Sequence, residues 1–163
     1  MSSPKVITGK FPSHNVFEFE DKIIFSSNFD NGNLARVERV ESFGSFNLWT
    51  APDNHGTSYA SSHCAWFHFV ISGVNTGTTL KFRIMNTGNH AALYKHDMRP
   101  VFRSVVSNKK WARIQSPARF TKSDGAAQLY FEHSVEHDED KIYFAFTYPY
   151  TYTTMQNDLD QIE

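Results

Sequence analysis

The sequence predicts an all-β fold, an antiparallel β-sandwich of roughly eight to ten strands with a short C-terminal helix. Three observations carry that expectation. Apolar and polar residues alternate over short runs, as in Leu80, Phe82 and Ile84 against Lys81 and Arg83. Turn clusters rich in Gly, Asn and Asp recur at intervals of about eight to fifteen residues. The most apolar run, Ala65-Trp66-Phe67-His68-Phe69-Val70-Ile71, is short and bounded by polar loops, as a central strand buried on both faces would be. A closed barrel is the alternative closure. With 163 residues, 40% of them hydrophobic and fifteen of them Phe, the chain can bury a substantial single core.

The elements follow in order. Residues 1–22 read as a leader broken by Pro4, Gly9 and Pro12, with Val16–Phe19 as a possible edge strand. Residues 23–148 form the sandwich. Ile23–Ser27 is a strand, the turn-forming Asn28-Phe29-Asp30-Asn31-Gly32-Asn33 reverses the chain, and Leu34–Val40 returns as the second arm of a hairpin. Phe46–Thr50 is a strand, and residues 52–62 are a polar loop before the apolar run at 65–71. Residues 86–100 are an irregular connection, followed by strands at Val101–Val106, Trp111–Ile114 and Gln128–Val135. The last strand begins at Lys141 and runs to Tyr148, where Pro149 ends it. Residues 149–163 are a junction turn and helix. Thr153 and Gln156 suit a capping box, and Tyr152, Met155, Leu159 and Ile162 fall on one helical stripe. A lone helix this short is marginal in water.

Composition excludes several functions. The formal net charge of −1 argues against a globally basic nucleic-acid binder. Cys64 is the only cysteine, which rules out an internal disulfide and favours a reducing, cytoplasmic setting. No run reaches membrane-spanning length, and Met1–Lys5 lacks a signal-peptide core. Gly9-Lys10 has neither the upstream glycine nor the following Ser or Thr of a phosphate-binding loop.

Candidate chemistry is sparse. His133 and His137, beside Asp138 and Glu139, superficially suit a metal, but residues four apart on a strand are about 13 Å apart. A solvated turn is the better reading. His68 interrupts a core strand and is expected to hydrogen-bond within the sandwich. The stretch Tyr148-Pro149-Tyr150-Thr151-Tyr152 could stack nucleic-acid bases, but aromatic residues at a strand end more often pack structurally. Between Lys95 and Lys122 the chain carries eight Lys and Arg residues against the single acid Asp97. Arg99, Arg103, Lys109, Lys110 and Arg113 are therefore candidates for steering an acidic substrate. The alternative is that they alternate off several strands and share no surface.

The combination of stretches resembles the N-terminal domain of the cytosolic carboxypeptidases. Phe25 to Leu34 is similar to that family's SNFDSGNL stretch, and Trp66-Phe67-His68-Phe69 to its WFYF-like strand. Phe82–Asn86, Leu93-Tyr94 and Asp97–Pro100 are similar to its F-I-N … SLY … GMxP segment. Trp111-Ala112-Arg113 fits a WxR step, and Tyr143–Gln156 resembles its YFAYCYPYTYxxLQ signature. Asn31 stands where Ser is usual, Asp97 where Gly is usual and Thr147 where Cys is common.

The resemblance, closest to the family's compact branch, implies the leading domain of an M14-type zinc metallocarboxypeptidase that trims glutamates from tubulin and other acidic tails. It implies a catalytic domain as partner, with zinc there, a cytoplasmic location and microtubule association. The family's His-Pro-Gly-Glu zinc motif does not occur in this sequence, so the resemblance gives this chain no catalytic or metal residue. Tyr148, Pro149, Tyr150, Tyr152, Met155 and Leu159 would pack at the domain junction. A stand-alone module that binds acidic peptides is the competing expectation. Neither reading involves nucleic acid or membrane.

Overall fold

Two stacked β-sheets form the architecture. The structure is a computed structural model that describes residues 3–8, 14–40, 42–88, 90–107, 110–123 and 125–162. Lys109 and residues 9–13 of the expected leader, Gly9-Lys10 included, lie outside the described residues.

The strands are β1 (Lys5–Thr8), β2 (Asn15–Glu18), β3 (Ile24–Ser26), β4 (Arg36–Arg39), β5 (Ser45–Trp49) and β6 (His68–Ser72). Then come β7 (Thr79–Thr87), β8 (Val101–Ser104), β9 (Ala112–Arg113), β10 (Arg119–Ser123), β11 (Ala126–Ser134) and β12 (Ile142–Ala145). Two helices complete the fold, α1 (Ala91–Lys95) and α2 (Tyr152–Asp160). One sheet has the order β1-β2-β3-β6-β12-β8-β9, and the other β10-β11-β7-β5-β4. Every pair is antiparallel except β5 with β7, which run parallel.

The inner faces meet in a phenylalanine core. Phe82 on β7 lies 5.0 Å from Phe144, 5.2 Å from Phe131 and 5.4 Å from Phe69, ring centre to ring centre. These spacings and tilts are those aromatic rings prefer. The alternation expected for β7 holds, with Leu80, Phe82 and Ile84 buried and Lys81 and Arg83 exposed.

The expected hairpin at Asn28–Asn33 is corrected. β3 belongs to the seven-stranded sheet and β4 to the five-stranded one, so this stretch arches between layers. Asn33 makes an antiparallel bridge to His68, after which the Ala35 amide bonds to the Trp49 carbonyl of the other sheet. A Cβ on Gly32 would stand 2.0 Å from the Ser27 carbonyl oxygen, so only glycine fits the arch. Asn31 and Asp97 both hold positive φ, 67° and 59°. Asn and Asp are among the few side chains that tolerate this backbone, which explains the two departures in turns.

Three further differences have local causes. Residues 86–100 contain α1, whose Tyr94 is buried and stacks on Phe120 of β10 at 5.6 Å. β10 pairs along an edge with β11. Helix α2 starts at Tyr152 with Thr151 as N-cap, because the Thr151 hydroxyl reaches the Thr154 amide at 3.1 Å.

Candidate functional site

The outer face of the seven-stranded sheet concentrates the unusual chemistry. Inward-pointing Phe69 and Phe144 leave their neighbours to face outward, because side chains alternate along a strand. The register then sets His68, Ala145, Val101 and Arg113 in one transverse row. Val70, Tyr143 and Arg103 form the next row on the same face. Phe29, from the arch between sheets, and Trp111, just before β9, close over these rows. Together with Pro149, Thr151 and Thr154 they enclose a cleft of about 290 Å³.

His68 is the floor of that cleft. Its ring lies 4.8 Å from Phe29, 5.4 Å from Trp111, 5.9 Å from Trp66 and 6.2 Å from Tyr143. The residue is only 4% exposed, yet neither imidazole nitrogen has a hydrogen-bond partner. This corrects the expectation that His68 bonds within the sandwich. The Asn31 carbonyl lies beside the ring and favours its protonation, but its well-formed bond, at 2.8 Å, comes from the Trp66 indole. Burial pushes the His68 pKa down to about 4, the Arg103 charge adds to that, and Asp30 opposes it. The imidazole is therefore neutral near neutral pH.

Arg103 forms one wall. Its guanidinium lies 5.0 Å from the Tyr143 ring centre and 5.5 Å from that of Trp111. Among the described residues it makes no ion pair or side-chain hydrogen bond. Arg113 is exposed, lies 5.6 Å from the Tyr148 ring and donates to the Arg99 carbonyl at 2.6 Å. Arg99 is already engaged, with two bonds of 2.9 Å to the Asp97 carboxylate and a third to the Gln115 carbonyl. Lys110 is exposed. Arg103 and Arg113 thus share a face, with Arg99 tied to its edge and its charge balanced.

The first turn of α2 forms the opposite wall. The Thr153 amide donates to the Asp30 carboxylate at 2.8 Å, and this bond holds the Asp30 pKa below its usual range. The Tyr150 hydroxyl donates to Asp158 at 2.8 Å. No residue of α2 is fully buried; Met155 is half-buried, while Tyr152 and Leu159 are 67% and 50% exposed. Tyr148 and Tyr150 are likewise exposed, and Pro149 is half-buried.

Among the described residues no three His, Cys, Asp or Glu side chains gather around a common point. His133 packs on Phe102 at 4.3 Å and Phe144 at 5.4 Å, and burial lowers its pKa. Asp138 instead accepts from the Thr76 amide at 2.7 Å. A catalytic zinc does not fit these residues. Sequence reasoning singled out Arg103 but missed His68, Phe29, Asp30 and Trp111 as one cluster. The available signal was a histidine on the outward phase of an otherwise apolar strand.

Comparison with known proteins agrees with this architecture. Residues 25–147 match the family described as the cytosolic carboxypeptidase N-terminal domain. Mouse cytosolic carboxypeptidase-like protein 5 is 33% identical over 86% of this chain, which spans 19% of that protein. Human cytosolic carboxypeptidase 6 is 30% identical over 86% of the chain, here 28% of the relative's length. The chain thus spans well under a third of these curated relatives. A metallo-carboxypeptidase from Burkholderia cenocepacia superposes with TM-score 0.61 at 21% identity, over 86% of this chain and 33% of that one. One from Pseudomonas aeruginosa, solved in complex with (2-guanidinoethylmercapto)succinic acid, gives TM-score 0.56 at 23% identity, over 84% and 32%. At these identities the two structures support the fold.

Proposed function

The chain belongs to the family of cytosolic carboxypeptidase N-terminal domains, and on that footing we propose that it supports the catalytic domain of a zinc carboxypeptidase acting in the cytoplasm. In this reading the intact protein trims glutamates from tubulin and other acidic tails, and this domain shapes their access. Zinc is then held by residues of the catalytic domain. Sandwich and junction, residues 23–148 and 149–163, divide the work between core and contact.

The observation that carries the reading is the exposed aromatic and aliphatic ridge leaving the sandwich. Tyr148, Tyr150, Tyr152, Leu159 and Ile162 are each at least half exposed on one short segment. Such a patch on a small domain marks a surface that another body covers. Pro149 restricts the backbone where the chain leaves the sandwich, and Met155 is half-buried on α2. Arg103 and Arg113 face outward beside it, where their charge would attract a polyglutamate tail.

The test uses this chain joined to the catalytic part of the intact protein. Replacing Tyr152 and Leu159 by Glu should lower the melting temperature of the intact enzyme and leave that of the 163-residue chain unchanged. Equal effects on both would sink the support role. Replacing Lys110 and Arg113 by Glu should lower kcat/KM for glutamate-rich tails, most at low ionic strength. Unchanged turnover across ionic strengths removes the access role alone.

A further inference from the structure

We propose that the cleft between His68, Arg103 and the first turn of α2 is a binding site for a peptide carboxylate. The assignment shares the acidic-tail substrate of the preceding reading, but the 163-residue chain tests it alone, so it can fail while the support role stands.

Two groups in the cleft lack the partners their burial calls for. His68 is 4% exposed and neither nitrogen makes a well-formed hydrogen bond, the Asn31 carbonyl beside the ring being taken by the Trp66 indole, and a buried polar atom left so is costly. A neutral imidazole has one N–H to donate, and the His68 ring lines the cleft. Arg103 is half-buried and held by two aromatic faces, and among the described residues no carboxylate pairs with it. Stacking leaves the guanidinium edge free, the edge that matches a carboxylate through two parallel bonds.

The remaining walls narrow the ligand. Phe29, Trp111 and Tyr143 line the cleft with ring surface, which lowers the local polarity and strengthens a charged contact inside. The N-terminal end of the nine-residue α2 adds its positive dipole end. Its Thr153 amide already serves Asp30, whose charge stands at the rim. That charge disfavours a doubly charged phosphate more than a singly charged carboxylate. At about 290 Å³ the cleft lies just below the usual range of small-molecule pockets, about 300–1,000 Å³, and suits a single side chain or chain end.

Two peptides separate the sources of the carboxylate. One is an acetylated, amidated tetraglutamate, with side-chain carboxylates only. The other is a neutral tetrapeptide with a free C-terminus. Each is titrated into the chain while the imidazole resonances of His68 and the indole resonance of Trp111 are followed by NMR. The expected result is saturable movement of both with one peptide, an upward shift of the His68 titration in the complex, and at least tenfold weaker binding in R103Q. The peptide that acts identifies the source. If R103Q does not keep its near-UV circular dichroism, R103K, which retains charge but not the planar fork, should bind several-fold more weakly. No movement with either peptide overturns the site. So does binding that the folded Arg103 variant leaves unchanged, or equal binding of inorganic phosphate.

Discussion

The Asp30 carboxylate accepts a hydrogen bond from the Thr153 amide at 2.8 Å, joining residues 123 positions apart. The arch between the sheets thereby caps the second amide of α2, while Thr151 caps the third. Two of the four amides that any helix start leaves unpaired are thus satisfied, one by tertiary structure. Replacing Asp30 by Ala should destabilise this docking by about 1 kcal/mol, the usual value of a cap. Hydrogen exchange at Thr153 should accelerate while the Phe core amides stay protected. The Asp30 pKa is lowered in the folded state, so its contribution is complete above the usual Asp value of 3.8 and is lost as pH falls through the lower folded value. Exchange at Thr153 that is equally slow in the D30A variant would show that the helix needs no such cap.

His68 gives the fold a dependence on pH at milder acidity. Its pKa falls from 6.5 to about 4 on folding, so above pH 6.5 both states are neutral and it contributes no slope. Below that, the unfolded chain binds a proton the native state refuses, and stability drops until pH passes about 4. The full loss is about 3 kcal/mol, at 1.36 kcal/mol per pKa unit. His133 acts with the same sign. In urea titrations from pH 7 to 4, His68→Phe should flatten most of this decline. A decline of the same size in the variant would mean that His68 protonates freely in the native state.

Strand periodicity revealed the sandwich because core positions on β6, β7 and β12 are filled by residues whose burial is unambiguous. Phe82 and Phe144 read as core from alternation, Phe67 and Phe69 from the short apolar run at 65–71, and all four are buried. The parallel pairing of β5 with β7 was not legible, since alternation fixes which face is buried and says nothing of strand direction. The arch at Asn28–Asn33 carries the turn chemistry of a hairpin; only long-range bonds, from Asn33 to Ala51 and Trp66, send it to the other sheet. The cleft is assembled from β6, β8, β12, the arch and α2, elements far apart in sequence. Its members therefore appeared separately, as a basic residue at 103, an aromatic at 143 and a histidine at 68.

Asn33 is the polar bolt of that arch. Its side-chain amide donates to the Ala51 carbonyl at 2.9 Å and the Trp66 carbonyl at 3.1 Å, and its oxygen accepts from the Ala51 amide at 2.9 Å. Asn33→Leu keeps the size but leaves these backbone groups buried and unpaired, each worth about 1–3 kcal/mol. Stability measured in urea should fall by about 3 kcal/mol or more, with the m-value unchanged. A loss below about 1 kcal/mol would mean that water enters to replace the amide.

Phe82 has the strongest claim to hold the two sheets together. It is fully buried and lies within 6.3 Å of Phe25, Phe46, Phe69, Phe131 and Phe144, rings drawn from both layers. Truncation to Ala removes the ring from the centre of a close-packed cluster whose neighbours are anchored on five different strands and cannot all collapse inward. The cost should be about 3–5 kcal/mol, at the upper end for a Phe-to-Ala change. Phe120, on the edge strand β10, is half-buried, and its truncation should cost less than half as much. Chemical denaturation of the two variants side by side checks the ranking; equal losses would place the mechanical centre of the sandwich at the α1–β10 edge, where Tyr94 stacks on Phe120.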